Sequence, residues 1–284
     1  MTKLALVHFS GEQDWETSFL LRVKNELSER GQAFGFELVE NAEEADVVFY
    51  VDSSKSTRDL SVYKKLLEWA CDKGKFIFTL SFEDRPLGVF PGIYTSLETR
   101  NFDSVLHLSW PHLETPNDDV ESSSIKSPET APWLFSFAGS RSHRFRKKLF
   151  SIYSGSNKKW KVNEVKRWYN HTKDEEKQYV KDILDSRFVL CPRGIACYSH
   201  RILETIILER IPVIIADDWV PFSIPEQNYY VTIPEKELGN IAEHLERELE
   251  NCDLYRANLL NVKSNWLTQE TRYCKVIKLS LIHI

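Results

Sequence analysis

Short apolar runs alternate with longer stretches of mixed polarity along this chain, and the alternation occurs twice. LALVHF (4–9), FELV (36–39), DVVFYV (46–51) and KFIFTL (75–80) are brief and rich in β-branched or aromatic residues, the mark of buried strands. The stretch 15–30, which ends before Gly31, and the stretch 60–72 read as helices between them. Strands alternating with helices predict a parallel sheet covered on both faces. The pattern restarts at WLFSFAG (133–139), a strand running into glycine. Helices are expected at 141–153, 173–186, 199–210, 235–250 and 254–267. Strands are expected at 187–191, 211–216 and 228–233. Residues 111–132, PHLETPNDDVESSSIKSPETAP, are polar, acidic and without period, as a linker would be. The expected architecture is therefore α/β, with two Rossmann-like domains facing a central cleft. The boundaries expected are 1–125 and 126–284.

Charge separates the halves. The chain has 284 residues, with 37 Lys and Arg against 42 Asp and Glu. Residues 1–130 hold 13 basic and 23 acidic side chains; residues 131–284 hold 24 and 19. Within 141–201 there are 16 basic residues and 6 acidic ones. An acidic chain is a poor general binder of nucleic acid, so none is expected as a partner. A basic segment inside it suits a small anionic ligand. The apolar runs are too short to span a bilayer, and the N-terminus reads as a first strand, not a cleaved signal. Five cysteines, an odd number with no CxxC pair, favour a reducing cytoplasm over a disulfide framework or structural zinc.

The most informative stretch is FVLCPRGIACYSHRILETIILERIPVI (188–214). An apolar strand ends at Cys191, and Pro-Arg-Gly turns the chain at the carboxyl edge of a sheet, where open α/β sheets bind ligands. Ser199 stands where a helix N-cap belongs. A helix start with Arg193 and Arg201 beside it suits a phosphate. Glu204 shares a helix face with Arg201, and its carboxylate can accept from ribose hydroxyls. The same spacing also fits an ordinary surface ion pair. Arg210 ends that helix, remote from the phosphate.

These residues carry a resemblance. The pattern F-V-L-C-P-R-G-x4-S-x-R-x2-E-x7-P-V-I is similar to the signature of the exostosin-like glycosyltransferase family, which has the GT-B fold. AEEADVVFY (42–50), FSFAGSRSHRFRKK (135–148), Asp217-Asp218-Trp219 and Pro221-Phe222 fall in the family's order. The resemblance implies inverting transfer of a sugar from a nucleoside diphosphate sugar, usually of uridine, to a glycan or glycoconjugate hydroxyl, in surface-polysaccharide or glycoconjugate assembly. Carried onto this chain, Arg193, Ser199, Arg201 and Glu204 become donor-site residues, with Gly139 and Arg146 helping at the pyrophosphate. The N-terminal domain becomes the acceptor side and the C-terminal one the nucleotide-sugar side. Inversion needs a general base, expected in the acidic half at Glu12 or Asp14, with Asp52 and Asp84 behind them. Fixed cations and a helix dipole stabilise the leaving diphosphate without metal or cofactor.

Other signatures bear on the alternatives. The chain has no D-x-D, no G-x-G-x-x-G, no G-x4-G-K-[ST] and no G-x-S-x-G. His8 ends the first strand, and Trp15, Trp110 and Trp219 lie near expected loops, where sugars stack on aromatic faces. Glu209 stands where family members commonly carry glycine, and the final LSLIHI resembles translated sequencing-adaptor read-through in place of a native end. A non-catalytic glycosyltransferase-like domain acting as a binding or complex partner is the alternative reading. Peripheral membrane association or a glycosyltransferase complex is compatible with either.

Overall fold

The structure, a computed structural model, describes residues 1–8, 14–52, 60–111, 117–166 and 171–282, with the side chains of 14–18 excepted. The chain divides into two compact units. The first comprises Met1–Thr115, Trp219–Ser223 and Trp266–Ile284; the second comprises Pro116–Asp218 and Ile224–Asn265. The sequence-based division gave everything after 125 to the second unit, whereas here two later segments belong to the first.

The first unit is built on β1 (Thr2–Val7), β2 (Phe36–Leu38), β3 (Val47–Asp52), β4 (Phe76–Ser81), β5 (Gly92–Tyr94) and β6 (His107–Ser109). Their order is β2-β1-β3-β4-β5-β6, all parallel. Helices α1 (Asp14–Arg30) and α2 (Leu60–Lys73) supply the crossovers. Tyr63, Leu66 and Ala70, on one face of α2, pack against Ala5, Val48, Tyr50 and Ile77. Trp110 is fully buried and meets Trp266 edge-on at 6.2 Å, so it is a core residue and no sugar platform. Beside it, Ser109 N–H donates to Ser223 Oγ at 2.9 Å and Ser109 Oγ to Val220 O at 3.0 Å. These bonds hold the 219–223 segment in the first unit.

The C-terminal segment forms a helix that the sequence pattern did not disclose. Counting the short helix α3 (Asp118–Glu121), then α4 (Arg144–Tyr153), α5 (Lys173–Leu184), α6 (Arg201–Ile207), α7 (Ile241–Arg247) and α8 (Cys252–Trp266), this last helix is α9 (Arg272–Ile282). Its N-terminus is capped from outside. Glu26 of α1, largely buried, accepts from Cys274 N–H at 2.7 Å, and a carboxyl oxygen there satisfies one of the helix's orphan amides. Tyr273 adds an edge-on contact with Phe19, 5.9 Å between ring centres.

The second unit has strands β7 (Trp133–Gly139), β8 (Gly155–Ser156), β9 (Trp160–Glu164), β10 (Ser186–Pro192), β11 (Ile211–Ile215) and β12 (Val231–Thr232). The order is β12-β11-β10-β7-β9-β8, parallel except for β8 at the edge. Phe135 and Ile211 flank Phe188 in register, and all three are buried among Leu149, Val162 and Leu245. The expectation of two Rossmann-like units in a GT-B-like α/β chain is met, each unit having its own parallel-dominated sheet. Among the described residues no helix is long and apolar enough to cross a membrane.

Element boundaries shift where local chemistry outweighs the apolar pattern. The helix expected over 199–210 is only α6. It ends in a Schellman motif: Arg210 N–H donates to Thr205 O at 2.9 Å, Glu209 N–H to Ile206 O at 3.0 Å, and Glu209 takes φ +56°. The helix expected over 235–250 is α7 between two 3-10 turns, Glu235–Asn240 and Glu248–Asn251.

Candidate active site

In the second unit the crossover from β7 goes outward to β9, and the next returns past β7 to β10. The carboxyl ends of β7 and β10 therefore straddle a topological switch point, where an open α/β sheet leaves a crevice. Strand ends there leave backbone carbonyls without ladder partners. Two arginines answer them. Arg146 of α4 donates from Nε to Arg193 O at 3.1 Å and from Nη2 to Pro192 O at 3.0 Å. Arg201, which opens α6, donates from Nη2 to Ala138 O. Both guanidinium groups lie over the Phe137 ring, at 5.7 and 4.8 Å from its centre, in cation–π contact.

No carboxylate pairs with Arg146 or Arg201 among the described residues. Arg146 is 9% exposed. Burial, reinforced by the charge of Arg201, pulls its pKa down to about 9. Two like charges thus share one apolar ring without a counter-ion among the described residues, an arrangement that costs free energy. The close approach depends on glycines. A Cβ on Gly139 would stand 2.8 Å from the Phe137 ring and 3.0 Å from Arg201 Nη2, and one on Gly194 would stand 3.2 Å from Arg146 Nη2.

The remaining expected residues sort differently. Arg193 follows β10, as expected, but its Nη1 is paired with Asp218 at 3.2 Å and Glu235 at 3.8 Å. Its charge is offset in place, unlike those of Arg146 and Arg201. Ser199 is no N-cap: His200 holds that position, and without a side-chain bond. Ser199 is buried, and its Oγ has no hydrogen-bond partner among the described residues. Glu204 does not pair with Arg201. One of its carboxylate oxygens accepts from Asn117 Nδ2 at 3.2 Å, and the other from the Tyr179 hydroxyl.

Three side chains at the site escaped the sequence reading. Phe137 falls in the strand expected over 133–139 and in the segment quoted for the resemblance, with no site role expected of it. Tyr179 and Asn117 carried no signal of spacing, since one is a single aromatic on a polar helix and the other sits in the linker-like stretch. Of the general-base positions, Glu12 lies outside the described residues. Asp14 opens α1, but its side chain lies outside them as well. Asp52 is buried and accepts from Tyr63 Oη at 3.0 Å and Ser81 Oγ at 3.2 Å. Asp84 is exposed beyond β4. His8 Nδ1 lies 3.1 Å from Val51 O; a carbonyl only accepts, so that nitrogen carries the proton.

The exostosin GT47 domain model matches residues 93–249, more than half of the chain. The chain belongs to the exostosin GT47 family. The residues of this site named from the second unit lie inside the matched span, and Glu12, Asp14 and the 42–50 segment lie before it. Among curated proteins, this exostosin-family chain is 35% identical over 100 residues to the probable glucuronoxylan glucuronosyltransferase IRX7 of Arabidopsis thaliana, covering 30% of the chain and 22% of that protein. It is 39% identical over 71 residues to the probable beta-1,4-xylosyltransferase IRX10 of Arabidopsis thaliana, covering 24% and 17%. The chain spans about a fifth of the length of the curated relatives it matches. Among solved structures it is similar to the apo form of the lipopolysaccharide outer core galactosyltransferase WaaB, with a TM-score of 0.54, 11% identity and 99% of each chain covered. At that identity the likeness concerns the fold.

Proposed function

We propose that this protein is an inverting glycosyltransferase that moves a sugar from a nucleoside diphosphate sugar, with uridine as the nucleoside, to a hydroxyl of a glycan or glycoconjugate. The observation that carries the reading is the Arg146–Phe137–Arg201 cluster: two guanidinium groups over one ring, without counter-ions among the described residues, at the switch point of the second unit. A diphosphate supplies the missing charge. In the reaction the acceptor oxygen bonds to the anomeric carbon, the bond from that carbon to the phosphate oxygen breaks, and the electron pair leaves with the diphosphate. Negative charge grows on the leaving group as the two cations hold it, so their stabilisation is greatest in the transition state. We assign this role to the side chains, with no metal and no cofactor required. Ser199 Oγ is a further donor for a phosphate oxygen, and Glu204 accepts from the ribose. A base, for which Glu12 and Asp14 are the proposed positions, takes the acceptor proton. The relatives' names, glucuronosyl- and xylosyltransferase, suggest the range of donor sugars to try first. The odd cysteine count supports a reducing compartment, the cytoplasm in our reading.

The test is turnover. Purified protein is incubated with UDP-glucuronic acid, UDP-xylose or UDP-galactose, with and without xylan oligosaccharides, and UDP release is measured. Acceptor-dependent release supports the enzyme. Donor binding without release with any acceptor supports the alternative, a glycosyltransferase-like binding partner, and overturns the catalytic reading.

A further inference from the structure

Tyr179 touches both donor-site residues of α6, and with two different parts of its side chain. Its ring lies 5.8 Å from Arg201 Cζ, so Arg201 is in cation–π contact with Tyr179 as well as with Phe137. Its hydroxyl donates to Glu204 Oε2. Burial and the neighbouring Glu204 carboxylate hold the phenol well above its ordinary pKa, so the hydroxyl keeps its proton and remains a donor. Glu204 Oε1 is held from the other side by Asn117 Nδ2, while Asn117 Oδ1 caps α3 by accepting from Val120 N–H at 3.4 Å.

The element that carries Tyr179 is firmly placed. Helix α5 starts in a capping box between Thr172 and Glu175. Asp182, one turn beyond Tyr179 and buried, accepts from Lys161 at 2.6 Å, Asn163 at 3.0 Å and Gln178 at 2.6 Å. A carboxylate offers about four lone-pair directions. Tyr179 and Asn117 each take one on Glu204, which leaves one on each oxygen. Two acceptors on one planar group match the two hydroxyls of a vicinal diol.

We infer that Tyr179 and Asn117 are positioning residues that orient Glu204 to read the 2′,3′-diol of a ribonucleotide, and that the Tyr179 ring at the same time orients Arg201 toward the phosphates. The inference rests on the donor-site reading above and deepens it. A role confined to packing would leave nucleotide preference unmoved, so preference is the quantity to read.

UDP, 2′-deoxy-UDP and inorganic pyrophosphate are titrated calorimetrically into wild-type protein and into Tyr179→Phe, Tyr179→Leu and Asn117→Ser, with melting temperatures recorded to verify folding. Ser keeps the capping oxygen and loses the amide donor. Loss of one hydrogen bond to a charged group corresponds to roughly 10- to 100-fold. Wild type is expected to prefer UDP over 2′-deoxy-UDP by about tenfold or more. Tyr179→Phe, which keeps the ring, narrows that preference to about threefold or less, and Asn117→Ser narrows it part of the way. Tyr179→Leu, which removes the ring, also weakens pyrophosphate binding by about tenfold. An undiminished preference in folded Tyr179→Phe and Asn117→Ser overturns the inference while leaving the donor site standing. Failure of wild type to bind UDP or pyrophosphate overturns the donor-site reading itself.

Discussion

Glu209 holds the position after α6 where the backbone turns left-handed, with φ +56°. A residue with a Cβ pays about 1–2 kcal/mol in that region, which glycine avoids. Glu209 also has a compensating contact, a 2.9 Å ion pair with Lys263 whose side chains are 18% and 31% exposed. Partial exposure discounts such a pair to about 0.2–1 kcal/mol. Replacing Glu209 with glycine therefore sets the two effects against each other, and a Lys263→Ala background separates them. In that background Glu209→Gly is expected to stabilise by about 1–2 kcal/mol over Glu209→Ala, since both lack the ion pair and only glycine fits the turn without strain. Urea unfolding of the two double variants, with Lys263→Ala as reference, measures the difference. Equal midpoints for glycine and alanine would refute the assignment of strain at this turn. The same geometry favours glycine at this position, and the C-cap stands without it because the two capping bonds use backbone atoms alone.

Two further expectations concern buried charge away from the candidate site. Arg210 is fully buried and donates to Leu208 O, Glu209 O, Lys126 O and Leu184 O; Arg210→Met strands these acceptors, so a loss of roughly 2–5 kcal/mol is expected by urea unfolding, and a loss below about 1 kcal/mol would show that these four bonds do not hold the fold together. Burial raises the pKa of Glu26 above the ordinary 4.5. Its protonated form is thus favoured in the fold, a contribution fully present below about pH 4.5 and lost as pH rises through the folded value. Glu26→Gln keeps an oxygen for Cys274 N–H and cannot ionise, so its stability relative to wild type is expected to rise between pH 4 and pH 7; a difference independent of pH would show that Glu26 does not titrate in that window.

The sheets and most crossover helices were legible because buried parallel strands are nearly continuous apolar runs, as VVFYV in β3 and FVLC in β10 show. Strands β5 and β6 have three residues each, too few for a period, and β9 (WKVNE) buries only Val162 fully. Helix α9 escaped notice because its stabilising cap comes from Glu26, 248 positions away in the sequence. Spacing on α6 correctly placed Arg201 and Glu204 on one helix but not their partners, because Ala138, Phe137, Asn117 and Tyr179 arrive from other elements. Arg193 shows the converse: motif and turn were both read correctly, yet Asp218 and Glu235, supplied by later segments, neutralise its charge.

The most direct test is calorimetric titration of UDP, in the presence of a chelator, into wild-type protein and into Arg201→Lys and Arg146→Lys. Lysine keeps the charge but cannot hold a strand-end carbonyl and a phosphate oxygen with one planar group. Binding is expected in wild type with the chelator present, weakened about 10- to 100-fold by either substitution. Equal affinity in all three proteins, or binding that returns only when manganese is added, would contradict the claim that these two guanidinium groups hold the diphosphate.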